Sequence, residues 1–463
     1  MFEQISESFS FKTVLELKDL FEAKKIPLYL VGGSVRDMML GLSDSIYDFD
    51  YTTPATPDEI EKIVSKWAKA MWNQGKKFGT IGCKKDDVSH EITTFRFEKY
   101  DSSSRKPEVV FGDSLIEDLV RRDFTINAIA YDLSNRELID PFNGKFDLDN
   151  HILRTPMDPM ISFGDDPLRM MRAARFISKL DLIPDKDLVK AIVALKDRLR
   201  VVSVERVRDE LNRLLTVDDP TAGLWFLVDT GLTDMFLPEL KKMSLEQDPI
   251  HKHKDVLAHT IAVVSKTRPE KIIRLAGLFH DVGKPQTRVI DDTGVKFHFH
   301  DVVGAKITNK RMKQLRYPTE DIQKVVKLVE LHLRFHTYKM GWSDKAVRRY
   351  VNDAGDLLEY LNELTRCDCT TRNERKAKEL SLRMDELEKR IVELKAREEL
   401  KSIRPELDGD QVMKILNIAP SKVVGLALDY LLELRLDEGL LGEQKATEAL
   451  IKWFEEFNKT QDK

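Results

Sequence analysis

Two aspartates one residue apart form the first group of side chains that could do chemistry. Asp48 and Asp50 lie in "IYDFDYTT", whose aromatic and β-branched residues predict a β-strand. Residues i and i+2 of a strand point to the same face, so both carboxylates would lie together while Phe49 points into the core. Carboxylate oxygens are the ligands that Mg²⁺ prefers. The pair therefore predicts a magnesium site, where two ions could hold a triphosphate and an attacking hydroxyl in line.

A glycine pair precedes these aspartates by about fifteen residues. Gly32 and Gly33 follow "LYLV", a predicted strand, and open "SVRDMMLG", a predicted short helix with Gly41 beyond its end. Backbone N–H groups at such a helix start can bind phosphate. A third carboxylate usually completes a site of this kind, and the sequence leaves Glu91 in "HEITTFR" and Asp123 in "RRDFT" as alternatives.

Histidines concentrate in the middle of the chain, where eight of the ten lie between residues 251 and 336. Imidazole and carboxylate ligands suit a transition metal such as Mn, Fe, Ni or Zn and can host an activated water. This region therefore predicts a second metal site, of a different kind. The region contains His259, His280, Asp281, His298, His300, His332 and His336, and Asp368 follows it.

The elements that must position these groups change character along the chain. Residues 1–25 and "PATPDEIEKIVSKWAKAMW" predict helices, "GTIGCKK" and "SHEITTFRFE" predict strands, and "KYDSSSRKPEVVFGD" predicts a polar loop. After about residue 160 the strand patterns stop and strong helical patterns follow. The predicted fold is an α+β head with a small mixed sheet, followed by an all-α neck, body and tail.

Four domains are predicted from these shifts, with boundaries at 1–150, 151–250, 251–375 and 376–463. The stretch "NERKAKELSLRMDELEKRIVELKAREELK", residues 373–401, predicts a long charged helix with apolar residues at heptad-like spacing. A solvated helix or hairpin arm is favoured there over a dimeric coiled coil.

Composition limits the partners. The net charge of −4 gives no bulk support for nucleic-acid binding, so the case depends on local basic runs at 105–107, 121–122, 196–200 and 306–316. No apolar run approaches the roughly 20 residues of a membrane span, and the start lacks the order of a signal peptide. Three cysteines are too few for a disulfide framework. A cytoplasmic protein without membrane contact is expected, and oligomerisation is not indicated.

Six motifs occur in order: "LVGGSVRD…DFDYTT", "EITTFR", "DLVRRDFTINAIAYD", "DPFNGKFDL", "DDPLRMMRAARF" and "ERVRDEL". Over about residues 25–240 the chain thereby resembles the bacterial class II tRNA nucleotidyltransferase and poly(A) polymerase family, of the DNA polymerase β-type superfamily. The resemblance implies a palm-like head, a helical neck, and body and tail regions that hold tRNA.

The resemblance also implies roles for individual residues. The carboxylates that match the metal-binding and catalytic positions are Asp48 and Asp50, with Glu91 as the candidate third. The residues that match the triphosphate side are Gly32, Gly33 and Arg36. Those that match the motif positioning the nucleotide and its ribose are Arg121, Arg122 and Asp123. Those in the nucleobase-reading segment, usually written EDxxR, are Asp165, Asp166, Arg169, Arg172 and Arg175, with Asp165 where glutamate is usual.

The base-reading assignment has a physical rationale of its own. Asp166 and Arg169 are spaced i, i+3, so on a helix they would share a face. Aspartate accepts a hydrogen bond and arginine donates one. Cytosine and adenine both present an exocyclic amine next to a bare ring nitrogen, which fits that order. Guanine and uracil present the reverse order, which would cost about 1–3 kcal/mol per unsatisfied group.

The adjacent His280 and Asp281 resemble the signature of the HD metal-dependent phosphohydrolase superfamily. The resemblance implies His259, His280, Asp281 and Asp368 as core metal ligands, and His300 and His332 as the additional positions used when two metals are held. A phosphohydrolase activity on 2′,3′-cyclic or terminal phosphates of RNA would follow. The alternative is a degenerate HD fold that is kept for its helices.

Template-independent addition of CCA to tRNA 3′ ends from CTP and ATP is the predicted function. A poly(A) polymerase and an enzyme adding only CC or only A are the nearest alternatives, and the HD body with the helical tail "KWFEEFNKTQDK" favours tRNA. An alternative of another class is an HD phosphohydrolase whose head only binds RNA. The complete carboxylate and base-reading motifs argue against an inactive head.

Overall fold

The computed structural model describes residues 9–41, 48–99, 108–112, 114–245, 255–291, 294–337, 342–369, 374–398 and 403–461. The chain divides into two compact units. The first comprises Met1–Leu214 with Ala222–Phe236, and the second comprises Leu215–Thr221 with Leu237–Lys463.

The first unit contains a seven-stranded mixed sheet. The strands of the first unit are β1 Tyr29–Val31, β2 Asp48–Thr53, β3 Ala70–Trp72, β4 Thr80–Lys85, β5 Val88–Thr94, β6 Arg96–Lys99, β7 Glu108–Phe111, β8 Ala130–Asp132, β9 Glu137–Ile139, β10 Ile152–Leu153 and β11 Ile183–Pro184. The sheet has the order β3-β4-β5-β2-β1-β8-β9. Its central pair, β2 and β5, is parallel, and its other neighbours are antiparallel. The parallel pairing therefore places side chains of β2 next to side chains of β5, although the two strands are far apart in the sequence.

Helices cover one face of this sheet, and further helices follow it along the chain. The helices of the first unit are α1 Phe9–Glu22, α2 Gly33–Met39, α3 Pro57–Val64, α4 Leu115–Val120, α5 Gly144–Asp149, α6 Pro159–Asp165, α7 Leu168–Leu180, α8 Lys186–Leu195, α9 Val204–Leu215, α10 Thr221–Asp229 and α11 Thr233–Phe236. One face of the sheet packs on α1, α2 and α3 through a shared apolar core. Phe49 and Tyr51 of β2 belong to that core, so the intervening Asp48 and Asp50 point to the other face, as the alternation predicts.

Within its described residues, the regular structure of the second unit is helical apart from one hairpin. Its strands are β12 Arg288–Asp291 and β13 Gly294–Phe297. Its helices are α12 Glu239–Lys242, α13 Val256–Lys266, α14 Lys271–Phe279, α15 Lys284–Thr287, α16 His300–Gln314, α17 Thr319–Leu331, α18 Asp344–Ala354, α19 Leu358–Asp368, α20 Glu374–Arg397, α21 Gly409–Leu416, α22 Lys422–Glu438 and α23 Glu443–Gln461. None of the helices in the described ranges combines the length and apolar character of a membrane span. The predicted fold class is confirmed.

Three local predictions are wrong. The helix predicted to run through Trp72 ends at Val64, because Lys69 N donates to Lys84 O at 2.9 Å and draws the following residues into the sheet edge as β3. The loop predicted before residue 115 contains β7, which pairs with β6, while residues 101–107 with their basic run lie outside the described residues. Strands also recur after residue 160, as β11 and the β12–β13 hairpin.

The charged helix α20 is not solvated on all sides. Its apolar stripe, Met384, Leu387, Ile391 and Leu394, is at most 4% exposed. The stripe packs within the second unit, where Arg366 of α19 reaches across to Glu388 of α20 with an N–O distance of 2.8 Å. Heptad spacing predicted the helix correctly, but the stripe is already buried without a second copy of the chain.

Two matched substitutions on α20 test this packing. Leu387→Ala removes a fully buried side chain and should lower the free energy of unfolding by about 2–5 kcal/mol. Leu382→Ala alters a side chain that is 58% exposed and should change it by less than about 0.5 kcal/mol. Urea denaturation measures both, and equally small effects would mean that α20 is solvated after all.

Candidate functional site

Three carboxylates of the sheet share one face. Asp50 of β2 is the direct partner of Glu91 in the parallel β2–β5 pair, and Asp48 precedes Asp50 on the same face. Desolvation raises the pKa of Glu91, and the charges of Asp50 and Asp48 raise it further. Desolvation also raises the pKa of Asp50, although the guanidinium of Arg122 opposes this. This carboxylate face (Asp48, Asp50 and Glu91) therefore brings several negative charges together. Its carboxylate oxygens are the ligands that a hard divalent cation prefers.

Asp123, the alternative third carboxylate, is placed differently. Its Oδ2 accepts hydrogen bonds from Arg172 Nε at 2.8 Å and Nη2 at 2.5 Å, and its Oδ1 accepts one from Asn127 at 3.0 Å. Burial opposes ionisation, yet Arg172 and Asn127 hold the pKa of Asp123 below its usual value. With its lone pairs engaged in this way, Asp123 is the weaker candidate, and the geometry favours Glu91.

The glycine turn lies directly against the carboxylate face. Gly32 has φ 71° and ψ −137°, a backbone conformation that side chains rarely adopt. A Cβ there would lie 3.2 Å from Arg122 Nη1 and 3.5 Å from Asp50 Oδ2. Ser34, one residue into α2, accepts a hydrogen bond from Asp50 N at 3.2 Å. Gly33 starts α2, so the turn, α2 and β2 are held together at the place where phosphates were predicted.

Arg36 is buried beside this turn. Its side chain is 4% exposed, and it pairs with Asp37 at 2.6 Å and donates to Asn127 at 2.6 Å. The guanidinium also lies over the Phe176 ring, 5.2 Å from its centroid. These contacts tie α2 to the turn that follows "RRD" and to α7. The predicted triphosphate contact of Arg36 stays a prediction.

A polar cavity of about 740 Å³ opens beside the carboxylate face. It brings together residues that are far apart in the sequence. Of the predicted residues, those that line it are Asp50, Arg121, Arg122, Asp123, Asp165, Asp166, Arg169 and Arg172. Sequence reasoning missed Asp118 and Arg206 on its wall, although Arg206 lies in the quoted "ERVRDEL".

The predicted base-reading pair lies at a helix start rather than along one helix. Asp166 follows α6 with φ −130° and ψ 94°, and its Oδ1 accepts from Leu168 N at 3.2 Å at the beginning of α7. The predicted reason for a shared face is therefore wrong, because only Arg169 is helical. Both side chains nevertheless line the cavity. Arg169 is fixed there by Ser162 at 2.8 Å and by Arg121 O at 2.5 Å.

Arg175 does not line this cavity. Its Nε donates to Glu210 of α9 at 2.8 Å, and its guanidinium lies 4.4 Å from the centroid of Phe176. Glu210, which is 4% exposed, also lies 3.4 Å from Arg213. The predicted nucleotide contact of Arg175 stays a prediction, while the observed contacts hold α7 against α9.

The second unit gathers the predicted HD residues into two adjacent groups. One group consists of His259, His280 and Asp368, and the other of Asp281, His300 and His332. Within each group the potential ligand atoms lie within 4.8 Å of one another. Asp281 joins the groups, because its Oδ2 lies 3.3 Å from His280 Nε2 and its Oδ1 lies 3.5 Å from His300 Nε2. His298 and His336 belong to neither group.

Backbone carbonyl groups orient the imidazoles. The Nδ1 atoms of His280, His300 and His332 lie 2.7, 2.9 and 2.6 Å from the carbonyl oxygens three residues earlier. Donation from Nδ1–H leaves each Nε2 lone pair facing the cluster, which is the arrangement of a metal-ligating histidine. His300 Nε2 and His332 Nε2 approach to 3.3 Å, where two lone pairs repel unless a cation lies between them. The donor set therefore fits metal ions.

The carboxylates and imidazoles of this cluster shift one another's titration. Burial would lower the pKa of His280, but Asp281 and Asp368 raise it to about 10. Burial and the charge on His280 lower the pKa of His332 to about 4. The cluster is thus built to hold positive charge near Asp281. Lys284, which sequence reasoning missed although it closes "HDVGK", reaches Asp281 Oδ2 at 2.7 Å.

Three family models match the chain. One described as "Poly A polymerase head domain" matches residues 28–154, and one described as "Probable RNA and SrmB- binding site of polymerase A" matches residues 181–243. One described as "HD domain" matches residues 256–394. Both predicted resemblances are confirmed.

One curated relative is similar over nearly the whole chain. The A-adding tRNA nucleotidyltransferase of Deinococcus radiodurans is 32% identical over 440 residues, which cover 92% of this chain and 95% of the relative. The CCA-adding enzyme of a Geobacillus strain is 41% identical over 214 residues, which cover 46% of this chain and 51% of that enzyme. The solved structure of the Bacillus stearothermophilus CCA-adding enzyme in complex with CTP shares the fold, with a TM-score of 0.70 at 23% identity over 98% of this chain and 100% of that one. The chain therefore belongs to the tRNA nucleotidyltransferase family of enzymes.

Proposed function

We propose that this chain adds nucleotides to tRNA 3′ ends without a template, and that its product is the complete CCA sequence made from CTP and ATP. The observation that carries the proposal is that Asp50, Asp166 and Arg169 line the same cavity. A cavity of about 740 Å³ accommodates a nucleotide. The relatives named above act on tRNA and add CCA or A, which supports tRNA as acceptor and CTP and ATP as donors.

The proposed reaction is attack of the tRNA 3′-hydroxyl on the α-phosphate, with pyrophosphate leaving. Mg²⁺ held by Asp48, Asp50 and Glu91 would lower the pKa of the hydroxyl and neutralise charge on the leaving group. Arg121 and Arg122 would bind phosphate oxygens through their charged N–H donors. The chain itself thus supplies the carboxylates that hold the metal, the N–H groups that bind the phosphates and the shape of the cavity.

Base choice is assigned to Asp166 and Arg169. The carboxylate of Asp166 would accept from the exocyclic amine of cytosine or adenine, and Arg169 would donate to the adjacent ring nitrogen. The contacts of Arg169 with Ser162 and Arg121 O fix its direction before a nucleotide arrives. Because the Asp123–Arg172 ion pair lines the same cavity, it would support the nucleotide beside its ribose, as the family motif implies.

Addition of the terminal A alone is a second candidate. The relative that matches 92% of this chain adds A, whereas the CCA-adding relative matches 46% of it. Both activities need the same carboxylates and the same base-reading order, so the cavity is compatible with either.

The test uses purified chain and two acceptors, tRNA that lacks CCA and tRNA that ends in CC. Complete CCA addition predicts that the first acceptor gains two nucleotides with CTP alone and three with CTP and ATP. Addition of A alone predicts no extension of the first acceptor and one added nucleotide on the second. Long A-tails would establish a poly(A) polymerase, and no extension of either acceptor would contradict nucleotide addition altogether.

Removing the Arg169 guanidinium should relax base choice. In Arg169→Ala, the preference for CTP over UTP, measured as a ratio of kcat/KM, should fall about 10–100-fold, because one donor that distinguishes the two bases is lost. Arg213→Ala, whose side chain is 64% exposed on α9, is the control and should keep the ratio. An unchanged ratio in Arg169→Ala would remove Arg169 from base reading.

We also propose a metal-dependent phosphohydrolase activity for the HD cluster. Its support is the convergence of six ligand side chains, with three Nδ1 atoms held by carbonyl groups. Imidazole with carboxylate suits Mn, Fe, Ni or Zn, which when bound would activate a water. Phosphates at the ends of RNA, 2′,3′-cyclic or terminal, are the proposed substrates.

Reciprocal substitutions should separate the two activities. Asp50→Ala should abolish nucleotide incorporation and leave release of phosphate from a 2′,3′-cyclic substrate unchanged, because Asp50 belongs to the head only. Asp281→Ala should abolish the hydrolysis and leave CTP incorporation intact. Full CTP incorporation by Asp50→Ala would contradict the metal assignment in the head. Hydrolysis that persists in Asp281→Ala would contradict the HD site.

We propose the four predicted domains as the division of labour: a catalytic head at 1–150, a base-reading and RNA-binding neck at 151–250, an HD domain at 251–375 and an arm with tail at 376–463. The matches at 28–154, 181–243 and 256–394 are compatible with this division. A cytoplasmic location is also proposed, and the three cysteines, all free, are in keeping with it.

A further inference from the structure

A carboxylate outside every predicted motif role lies behind Arg122. Asp118 of α4 is 7% exposed. Its Oδ2 accepts hydrogen bonds from Thr52 Oγ1 at 3.1 Å and from Arg122 Nη2 at 3.2 Å. Thr52 is fully buried and stands two residues after Asp50, on the same face of β2. Asp118 therefore connects the strand that carries the catalytic carboxylates to the arginine that faces them.

Arg122 has two carboxylates within its surroundings. Its Nη1 lies beside Gly32, at the place where that glycine also approaches Asp50 Oδ2. Its Nε is buried and has no hydrogen-bond partner among the described residues. The guanidinium thus has one end held by Asp118 and one nitrogen that still needs an acceptor.

We propose that Asp118, supported by Thr52, is a positioning residue that holds Arg122 away from Asp50. The inference rests on the proposed nucleotidyl transfer and deepens it. Held by Asp118, the guanidinium offsets only part of the charge of Asp50, so that carboxylate stays available to the divalent cation. The side of Arg122 that lines the cavity then stays available to a phosphate oxygen of the nucleotide. Without Asp118, the charge of Arg122 would turn to Asp50 and compete with the metal.

Asp118→Ala tests the competition directly. The Mg²⁺ concentration that half-saturates ATP binding, measured by equilibrium dialysis of the whole chain without tRNA, should rise about tenfold, the usual consequence of losing an outer-shell partner. Thr52→Val should shift it in the same direction by less. Asp118→Asn keeps an acceptor oxygen for Arg122 and should recover part of the loss.

A double substitution distinguishes misdirection from general damage. In Asp118→Ala combined with Arg122→Ala, the competing cation is gone, so the Mg²⁺ requirement should return towards that of the unaltered chain. The KM for the nucleotide should be higher in the double variant than in the unaltered chain, because the phosphate contact of Arg122 is lost. A Mg²⁺ requirement as high in the double variant as in Asp118→Ala would overturn the proposal.

Asp147 offers a matched control. It is 1% exposed and accepts from Thr125 Oγ1 at 2.6 Å and Arg154 Nη2 at 2.6 Å, which is the same Thr–Asp–Arg arrangement outside the cavity wall. Asp147→Ala should lower the melting temperature without changing the Mg²⁺ requirement. If Asp118→Ala behaves as Asp147→Ala does, the positioning role is wrong while nucleotidyl transfer stands. If the unaltered chain neither binds ATP with Mg²⁺ nor extends tRNA, both proposals fail.

Discussion

Three carboxylates on two neighbouring strands repel one another and repel any phosphate that approaches them. The parallel pairing of Asp50 with Glu91 fixes this repulsion into the sheet. Desolvation raises the pKa of both groups, and the charges of neighbouring carboxylates raise it further. Arg122 offsets part of the charge, but Asp118 already holds its other end. The remaining imbalance is what a divalent cation would offset, and it explains why a phosphate-binding turn can lie against acidic side chains. The placing of the glycine turn, the cavity and the surrounding arginines depends on this charge balance.

The HD cluster also concentrates carboxylates, but it combines them with imidazole ligands. Its carboxylates are shared among imidazoles, and carbonyl groups fix which nitrogen of each ring faces inward. Nitrogen donors favour a transition metal, whereas the oxygen-only face of the head favours Mg²⁺. One chain therefore carries two candidate metal sites with different ligand types, each on its own compact unit. The separation makes it reasonable that either site can be disabled without the other.

Sequence patterns predicted the features that depend on local periodicity. Asp48 and Asp50 alternate with core residues because a strand has a period of two, and α20 follows from heptad spacing. Glu91 could not be separated from Asp123, because strand order is set by tertiary pairing and not by the strand's own residues. The start of α7 after Asp166 and the strand β3 in place of a helix end were missed for the same reason. Arg36 belongs to a family motif, but that motif did not predict its burial beside Asn127. Asp118 opens the quoted motif "DLVRRDFTINAIAYD", yet the motif assigned it no role, because its contacts with Thr52 and Arg122 depend on tertiary packing.

The central claim is that a divalent cation joins the carboxylate face to the nucleotide phosphates. Crystals grown with Mn²⁺ and a non-hydrolysable CTP analogue would test it through the anomalous scattering of the ion. The account predicts an anomalous peak within about 2.3 Å of oxygens from Asp48 and Asp50 and of a phosphate oxygen of the analogue. Analogue bound in the cavity with its phosphates on arginines alone, and no peak between Asp48 and Asp50, would contradict it.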